Sequence, residues 1–354
     1  VNLITGKNNT GKSSLLEAIA LYVTKCDLSL LIQLLEERGE NLHYDSETEN
    51  IIDKNIKAFA SLFTNRTVYF SKSDAIVLEI KERNFKNNPI KKEKYVALRF
   101  VKYFDEINRK TEESNGGKER IIFGLYDDRP EVDSELGLEI QTELRSIVLS
   151  LQNELYYRRF GLGLRETNNF QYVVTRNIDR GINGKLWDKI TLTDKEQYVL
   201  EALKIIEPNV ERIAFIDEGN RNRSAVIKLA NNNVVLPLKS MGDGINRILT
   251  IILALVNAEN GYLLIDEFEN GLHHSVQEKL WEIIFSLANK LNIQVFATTH
   301  SEDCIAGFEY SLNNHSDSND GKLIRLENKK GQIKQVAYTK EELKIAVENN
   351  IETR

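Results

Sequence analysis

The sequence is poor in the residues that mark several familiar classes of protein. It holds 2 cysteines in 354 residues, Cys26 and Cys304, which excludes a disulfide-stapled scaffold and fits a reducing cytoplasm. Its 4 prolines and 19 glycines are too few for long irregular linkers or a low-complexity chain. The longest apolar run, 248–256, is too short to cross a bilayer and follows Arg247, so no membrane contact is expected. No signal-peptide pattern opens the chain. A basic excess is missing too. Lys+Arg 47 against Asp+Glu 53 gives a formal charge of −6, which argues against a general nucleic-acid coat but not against a local basic groove. What remains is an ordinary globular balance, 41% hydrophobic and 28% charged, at a length that suits one large domain or two lobes. The chain opens on Val1 inside a strand-like run, so a strand or two are expected to precede it in the natural protein.

Residues 1–5 read as a short apolar strand, followed by a helix with Leu15, Leu16, Ile19 and Val23 on one face. Helices are expected over 28–35 and 51–63, joined by a polar stretch. The texture then changes: 67–70, 74–81, 94–103 and 121–126 are rich in β-branched and aromatic residues, and the polar 83–92 reads as a hairpin loop. The spacing of Ile140, Leu144, Ile147, Val148, Leu151 and Leu155 predicts an amphipathic helix. Strands and helices alternate beyond it. Strands are expected at 171–175, 212–216, 224–229, 234–238, 262–265 and 293–298, with a late hairpin of 323–326 and 333–338. Thr193 with Glu196, Ser275 with Glu278 and Thr339 with Glu342 have capping-box spacing before helices, and 245–256 is a further helix.

Four segments carry chemistry. Residues 6–13, Gly-Lys-Asn-Asn-Thr-Gly-Lys-Ser, fit G-x-x-x-x-G-K-[ST] between a strand and a helix. Glycines let the backbone curl so that N–H groups face phosphates, and the helix N-terminus adds partial positive charge. Asn8, Asn9, Thr10, Gly11 and Ser14 would line the nucleotide, Lys12 would reach the β- and γ-phosphates, and Ser13 would ligate Mg²⁺. The apolar strand 262–265 ends in Asp266 and Glu267; Asp266 can anchor the Mg²⁺ shell, and Glu267 can polarise a water. Thr298-Thr299-His300-Ser301 follows the next apolar strand, placing His300 to donate to the γ-phosphate or the attacking water. Ser240-Met241-Gly242-Asp243-Gly244 is a second glycine-rich turn at a helix start, a second anion site that would cover a nucleotide held by another protomer. Alone, each has a plainer reading: a capped helix, a solvated acidic turn, a structural histidine. Their order in one chain outweighs those readings.

Together these segments resemble the ABC-type ATPase head of the SMC, RecF and OLD-like families. The resemblance rests on residues 6–14, 240–244, 263–273 and 298–301, and covers 1–25 and about 210–305. Glu-Asn-Gly-Leu-His at 269–273 looks most like the OLD-like AAA ATPases, a group often found in phage-defence systems. The resemblance implies two protomers that sandwich ATP, with Ser240, Gly242 and Asp243 as signature contacts made in trans. It implies that Asn270 and Gly271 lie in the loop linking the two sites and that His300 is the switch histidine. The signature departs from Leu-Ser-Gly-Gly-Gln, which fits soluble heads better than transport ATPases. The glutamine that links metal to a lobe is not identifiable; Gln171, beside a strand, is the residue weighed for it. Residues 26–170 match no motif.

The expected fold is α/β: a P-loop sheet of 1–5, 212–216, 262–265 and 293–298 with flanking helices, plus an antiparallel β subdomain and a helical insertion. The expected division is 1–25 for the phosphate-loop strand and helix, 26–170 for the insertion, 171–310 for the remaining ATPase core, and 311–354 for a C-terminal hairpin and helix. The expected activity is Mg²⁺-dependent ATP hydrolysis coupled to dimerisation or higher assembly of heads. OLD nucleases carry a nuclease domain after the head; one hairpin and one helix fill the residues after His300, so an effector is expected to be a separate protein. Nucleic acid is a candidate partner through Arg83, Lys86, Lys91, Lys92 and Lys94, or through Arg158, Arg159 and Arg165 with their neighbouring aromatics. Solvated lysines on a hairpin edge explain the first cluster more simply. A RecF-like DNA-repair ATPase and a nucleotide-gated scaffold with little turnover are the alternatives, separated by DNA stimulation and by turnover in isolation.

Overall fold

The computed structural model describes residues 1–43, 51–68, 75–79, 95–107, 118–122, 134–151, 169–174, 180–217, 223–230, 234–314, 321–349 and 351–353. They divide into two compact units, one of Val1–Glu17 with Asn168–Arg354 and one of Ala18–Thr167. In chain order the strands are β1 (Asn2–Gly6), β2 (Ile76–Glu79), β3 (Tyr95–Ile107), β4 (Lys118–Ile122), β5 (Glu135–Thr142), β6 (Ser146–Ser150), β7 (Phe170–Val173), β8 (Val210–Asp217), β9 (Arg223–Leu229), β10 (Val235–Pro237), β11 (Tyr262–Ile265), β12 (Gln294–Thr298), β13 (Lys322–Lys329) and β14 (Gln332–Tyr338). The helices are α1 (Lys12–Val23), α2 (Leu28–Glu37), α3 (Ile51–Ala60), α4 (Arg180–Asp188), α5 (Lys195–Leu203), α6 (Asp243–Asn257), α7 (His274–Lys290), α8 (Glu302–Asn314) and α9 (Lys340–Glu348).

The first unit is built on a six-stranded sheet in the order β14-β13-β1-β12-β11-β7, parallel except for the β13–β14 hairpin. Parallel strands covered on both faces must be apolar throughout. Leu3 and Ile4, Leu263 to Ile265, and Val295 with Ala297 are all buried here. Helix α6 is apolar almost all round, with Ile245, Ile248, Leu249 and 251–256 buried, as a helix enclosed by the core should be. The Phe268 ring stacks on Trp281 at 4.0 Å and 11°, and Phe308 meets Trp281 edge-on at 5.2 Å.

Residues 212–216 do not belong to this sheet, contrary to expectation. They lie in β8, which pairs with β9 in a three-stranded antiparallel sheet ordered β10-β9-β8. Arg212, Ala214 and Ile216 are exposed while Ile213 and Phe215 are half-buried, an alternation that a sheet covered on both faces does not accommodate. Strand β7 takes the place beside β11, and the late hairpin joins β1 as part of the same sheet.

The second unit joins α2 and α3 to an antiparallel sheet ordered β2-β3-β5-β6, with β4 also on β3. The helix expected across 140–155 is instead the β5–β6 hairpin. Thr142 Oγ1 accepts from the N–H groups of Leu144 and Arg145, both at 3.3 Å, to close the turn. Leu144 is 65% exposed at its tip while Ile140, Val148 and Leu149 are buried, so the helical spacing was a coincidence of two period-2 strands. Leu155, the 83–92 loop and both basic clusters lie outside the described residues. So does most of 67–70, whose residues 67 and 68 form no strand.

Two helix starts also differ from expectation. Glu196 accepts from the Leu192 N–H at 2.6 Å and α5 begins at Lys195, so Thr193 and Glu196 form no reciprocal box. Helix α7 starts earlier than Ser275, capped by the His273 ring accepting from the Ser275 N–H. Thr339 and Glu342 do form the expected box, at 3.2 and 2.8 Å. Among the described residues no helix is long and apolar enough to cross a membrane.

Candidate functional site

The ends of β1, β11 and β12 bring the sequence motifs together. Gly6 ends β1 at φ +143, and a Cβ there would meet the Leu326 carbonyl at 2.6 Å and Thr10 Oγ1 at 2.7 Å, so only glycine fits. Asn9 and Gly11 follow with φ +62 and +84, curling the loop into the start of α1. Asn8, Asn9, Ser13 and Ser14 are exposed and Thr10 is buried, its hydroxyl donating to the Lys7 carbonyl at 2.8 Å. Lys12 Nζ donates to the carbonyls of Gly6 at 2.7 Å and Lys7 at 3.1 Å, lying across the loop. Burial pulls the Lys12 ammonium below its ordinary value, opposed by the negative charges of Glu269, Asp266 and Glu267.

Ser13 Oγ donates to Asp266 Oδ1 at 3.2 Å, and Thr298 Oγ1 donates to the same oxygen at 2.6 Å. The pairing predicted for Mg²⁺ is therefore brought within contact by residues far apart in sequence. Two hard oxygens suit Mg²⁺, which keeps waters and substrate oxygens for its other positions. Glu267 adopts φ +47, rare for a residue with a side chain. Its N–H donates to Thr298 Oγ1 at 2.9 Å.

Two residues that sequence reasoning missed hold this geometry. Arg247, 2% exposed, donates to the carbonyls of Val174 at 3.2 Å, Asp266 at 2.8 Å and Glu267 at 3.1 Å. Burial lowers its pKa, against the pull of Asp266, Glu269 and Glu267. In the sequence it was visible as the single charge preceding the longest apolar run. Glu269 binds Thr299 and His300: Thr299 Oγ1 donates to Oε2 at 2.7 Å, and the His300 N–H and Nδ1 meet Oε1 at 2.9 Å each. Its signal was its place in Asp-Glu-Phe-Glu, two residues beyond the expected base.

Two of the signature residues lie on the surface. Ser240 and Gly242 are exposed, Ser240 Oγ donates locally to the Pro237 carbonyl at 2.7 Å, and Gly242 turns at φ +97 into α6, whose first residue is Asp243. Asn270 and Gly271 are exposed too, and the Gly271 carbonyl lies 3.1 Å from where a Gly244 Cβ would stand. The expected dimer loop and signature turn are thus neighbours. Gln171 pairs with Leu263 in mid-strand, away from the strand end that carries Asp266. The end of the chain also reaches this region: Thr5 Oγ1 donates to the Thr353 carbonyl at 2.6 Å, and Lys7 pairs with Glu352 at 3.0 Å.

A glycine loop between a parallel strand and a helix, with its lysine and serine facing an aspartate at the end of a neighbouring strand, defines a P-loop nucleotide hydrolase. The family model described as AAA ATPase domain matches residues 1–305, and the chain belongs to that family; it is a P-loop ATPase. The ATP/GTP phosphatase of Helicobacter pylori (strain ATCC 700392 / 26695) is 23% identical over 360 residues, covering 99% of this chain and 92% of that protein. Among solved structures, the chain is similar to the SmcHead bound to the C-winged helix domain of ScpA, with TM-score 0.44 and 14% identity over 96% of this chain and 90% of that one. It is also similar to the SMC head domain from Thermotoga maritima, with TM-score 0.38 and 11% identity over 95% and 89%.

Proposed function

We propose that two copies of this chain close around ATP, hydrolyse it with Glu267 as general base, and pass the engaged state to a partner protein. The observation that carries the hydrolytic part is the contact of Ser13 with Asp266 beside the Lys12 loop. Ser13 and Asp266 would hold Mg²⁺, which when bound neutralises charge on the phosphates. Lys12 leaves the loop carbonyls for the β- and γ-phosphate oxygens. Glu267 accepts a proton from water as the water oxygen bonds to the γ-phosphorus and the bond to the bridging oxygen of ADP breaks. The turn of exposed Ser240 and Gly242 that leads into Asp243, with Asn270 and Gly271 beside it, is the surface offered to the partner copy's nucleotide. In this reading the partner that senses engagement is a separate effector, in the manner of OLD-like phage-defence ATPases.

Positioned general bases contribute about 10²–10⁴-fold, so Glu267→Gln should lose turnover on that order while still binding ATP. In ATP and Mg²⁺ the same variant should sediment as a dimer, and Lys12→Ala should bind no ATP. Wild-type turnover in Glu267→Gln overturns the base. Retained affinity in Lys12→Ala overturns the phosphate-loop assignment, and a monomer at saturating ATP overturns closure in trans.

A further inference from the structure

Glu269 does more than brace a loop. His300 Nδ1 lies 2.9 Å from its Oε1, with the carboxylate largely buried and the ring half exposed. A carboxylate has no hydrogen to give, so a hydrogen bond across this contact requires the proton on Nδ1. In a neutral imidazole the other nitrogen, Nε2, then carries a lone pair and no hydrogen. The carboxylate is itself held in place, because the same Oε1 also takes the His300 backbone N–H and Oε2 takes the Thr299 hydroxyl.

We propose that Glu269 is a positioning residue that holds His300 as its Nδ1–H tautomer, making Nε2 an acceptor for the attacking water rather than a donor to the γ-phosphate. The proposal rests on the reading of His300 as a residue beside the γ-phosphate. Water offers two hydrogens. Glu267 takes one as the bond to phosphorus forms and the bond to ADP breaks. Nε2 accepts the other as a hydrogen bond without removing it, which turns a lone pair of the water oxygen toward phosphorus. A partner that fixes the far nitrogen of a working histidine sets its tautomer in this way in metal sites as well.

Glutamine at 269 should preserve the arrangement. The His300 N–H and Nδ1–H both require an acceptor at Oε1, so the amide oxygen takes that place and the amide nitrogen faces Thr299, whose hydroxyl can turn to accept. Alanine should not. ¹⁵N spectra of the His300 ring in the ligand-free protein, recorded where the ring is neutral, should show a protonated Nδ1 in the wild type and in Glu269→Gln, and a shift toward Nε2–H in Glu269→Ala. Glu269→Ala should lower kcat by roughly 10–100-fold, the usual size of such a partner's effect, with KM for ATP changed little. Glu269→Gln should restore kcat, and Glu269→Ala should add nothing in a His300→Ala background. An Nε2–H tautomer in the wild type overturns the proposal, as does an undiminished loss on adding Glu269→Ala to His300→Ala. If Glu269→Ala does not fold, the wild-type and glutamine spectra decide alone. The spectra need no turnover, so a wrong base assignment appears in the Glu267→Gln rates and a wrong tautomer appears here.

Discussion

Glu267 sits in a left-handed backbone conformation that costs a residue with a side chain on the order of 1–2 kcal/mol. Something must hold it there, and Arg247 does so from beneath. Its guanidinium ties the carbonyls of Asp266 and Glu267 to that of Val174, just past β7, so the carboxylate end of β11 is fixed by this fork as well as by the bonds of Asp266 and the Glu267 N–H to Thr298. Arg247→Met keeps much of the volume and removes every donor. It is expected to cost on the order of 3 kcal/mol, since buried carbonyls lose a charged partner, and to lower kcat more than ATP affinity. Denaturant midpoints and steady-state rates check both; unchanged stability would mean that water replaces the fork. The two cysteines are a contrast. Burial pushes the Cys26 thiol up to about 12 and raises that of Cys304 as well, so neither is a nucleophile at neutral pH.

Helices and strands show which kinds of information are local. The box at α9 is one such element: Thr339 and Glu342 exchange bonds across the first turn. Thr339→Ala should therefore cost about 1 kcal/mol, seen as a lower Tm with unchanged kcat; a drop in kcat would tie α9 to the site. This cap, the phosphate loop, and the apolar strands ending in Asp266 and Thr298 were legible because a few adjacent residues determine each one. The β5–β6 hairpin was not. Its apolar residues fall at helical spacing only because Leu144, read as part of a buried face, lies exposed at the turn. Strand order was equally hidden, since β8 and β7 differ in what covers them, and covering is supplied by distant segments. The roles of Arg247 and Glu269 were missed for a related reason: each acts on backbone or on a side chain reached only after folding, and Glu269, though part of the 269–273 segment, carries nothing in its spacing that names its partners.

At the scale of the molecule, the nucleotide site depends on strands from both ends of the sequence. β1 is flanked by β12 and β13, and β13 carries β14. A chain ending before Gly321 would leave the open edge of β1 without its β13 partner and remove the Leu326 carbonyl against which Gly6 packs. Such a truncation should bind no ATP and should aggregate, because a bared interior strand invites pairing with other chains. Equilibrium dialysis and the soluble fraction on expression test this; a soluble, ATP-binding truncation would show that β13 is dispensable.

The bond from Thr5 to Thr353 spans 348 residues. At roughly 5–20 residues per second, a ribosome takes roughly 17–70 s to make that stretch. For most of that interval the strand preceding the phosphate loop lacks β13, the neighbour that completes its pairing. The strand pairing around the phosphate loop therefore closes late in synthesis, long after the lysine loop itself has been made.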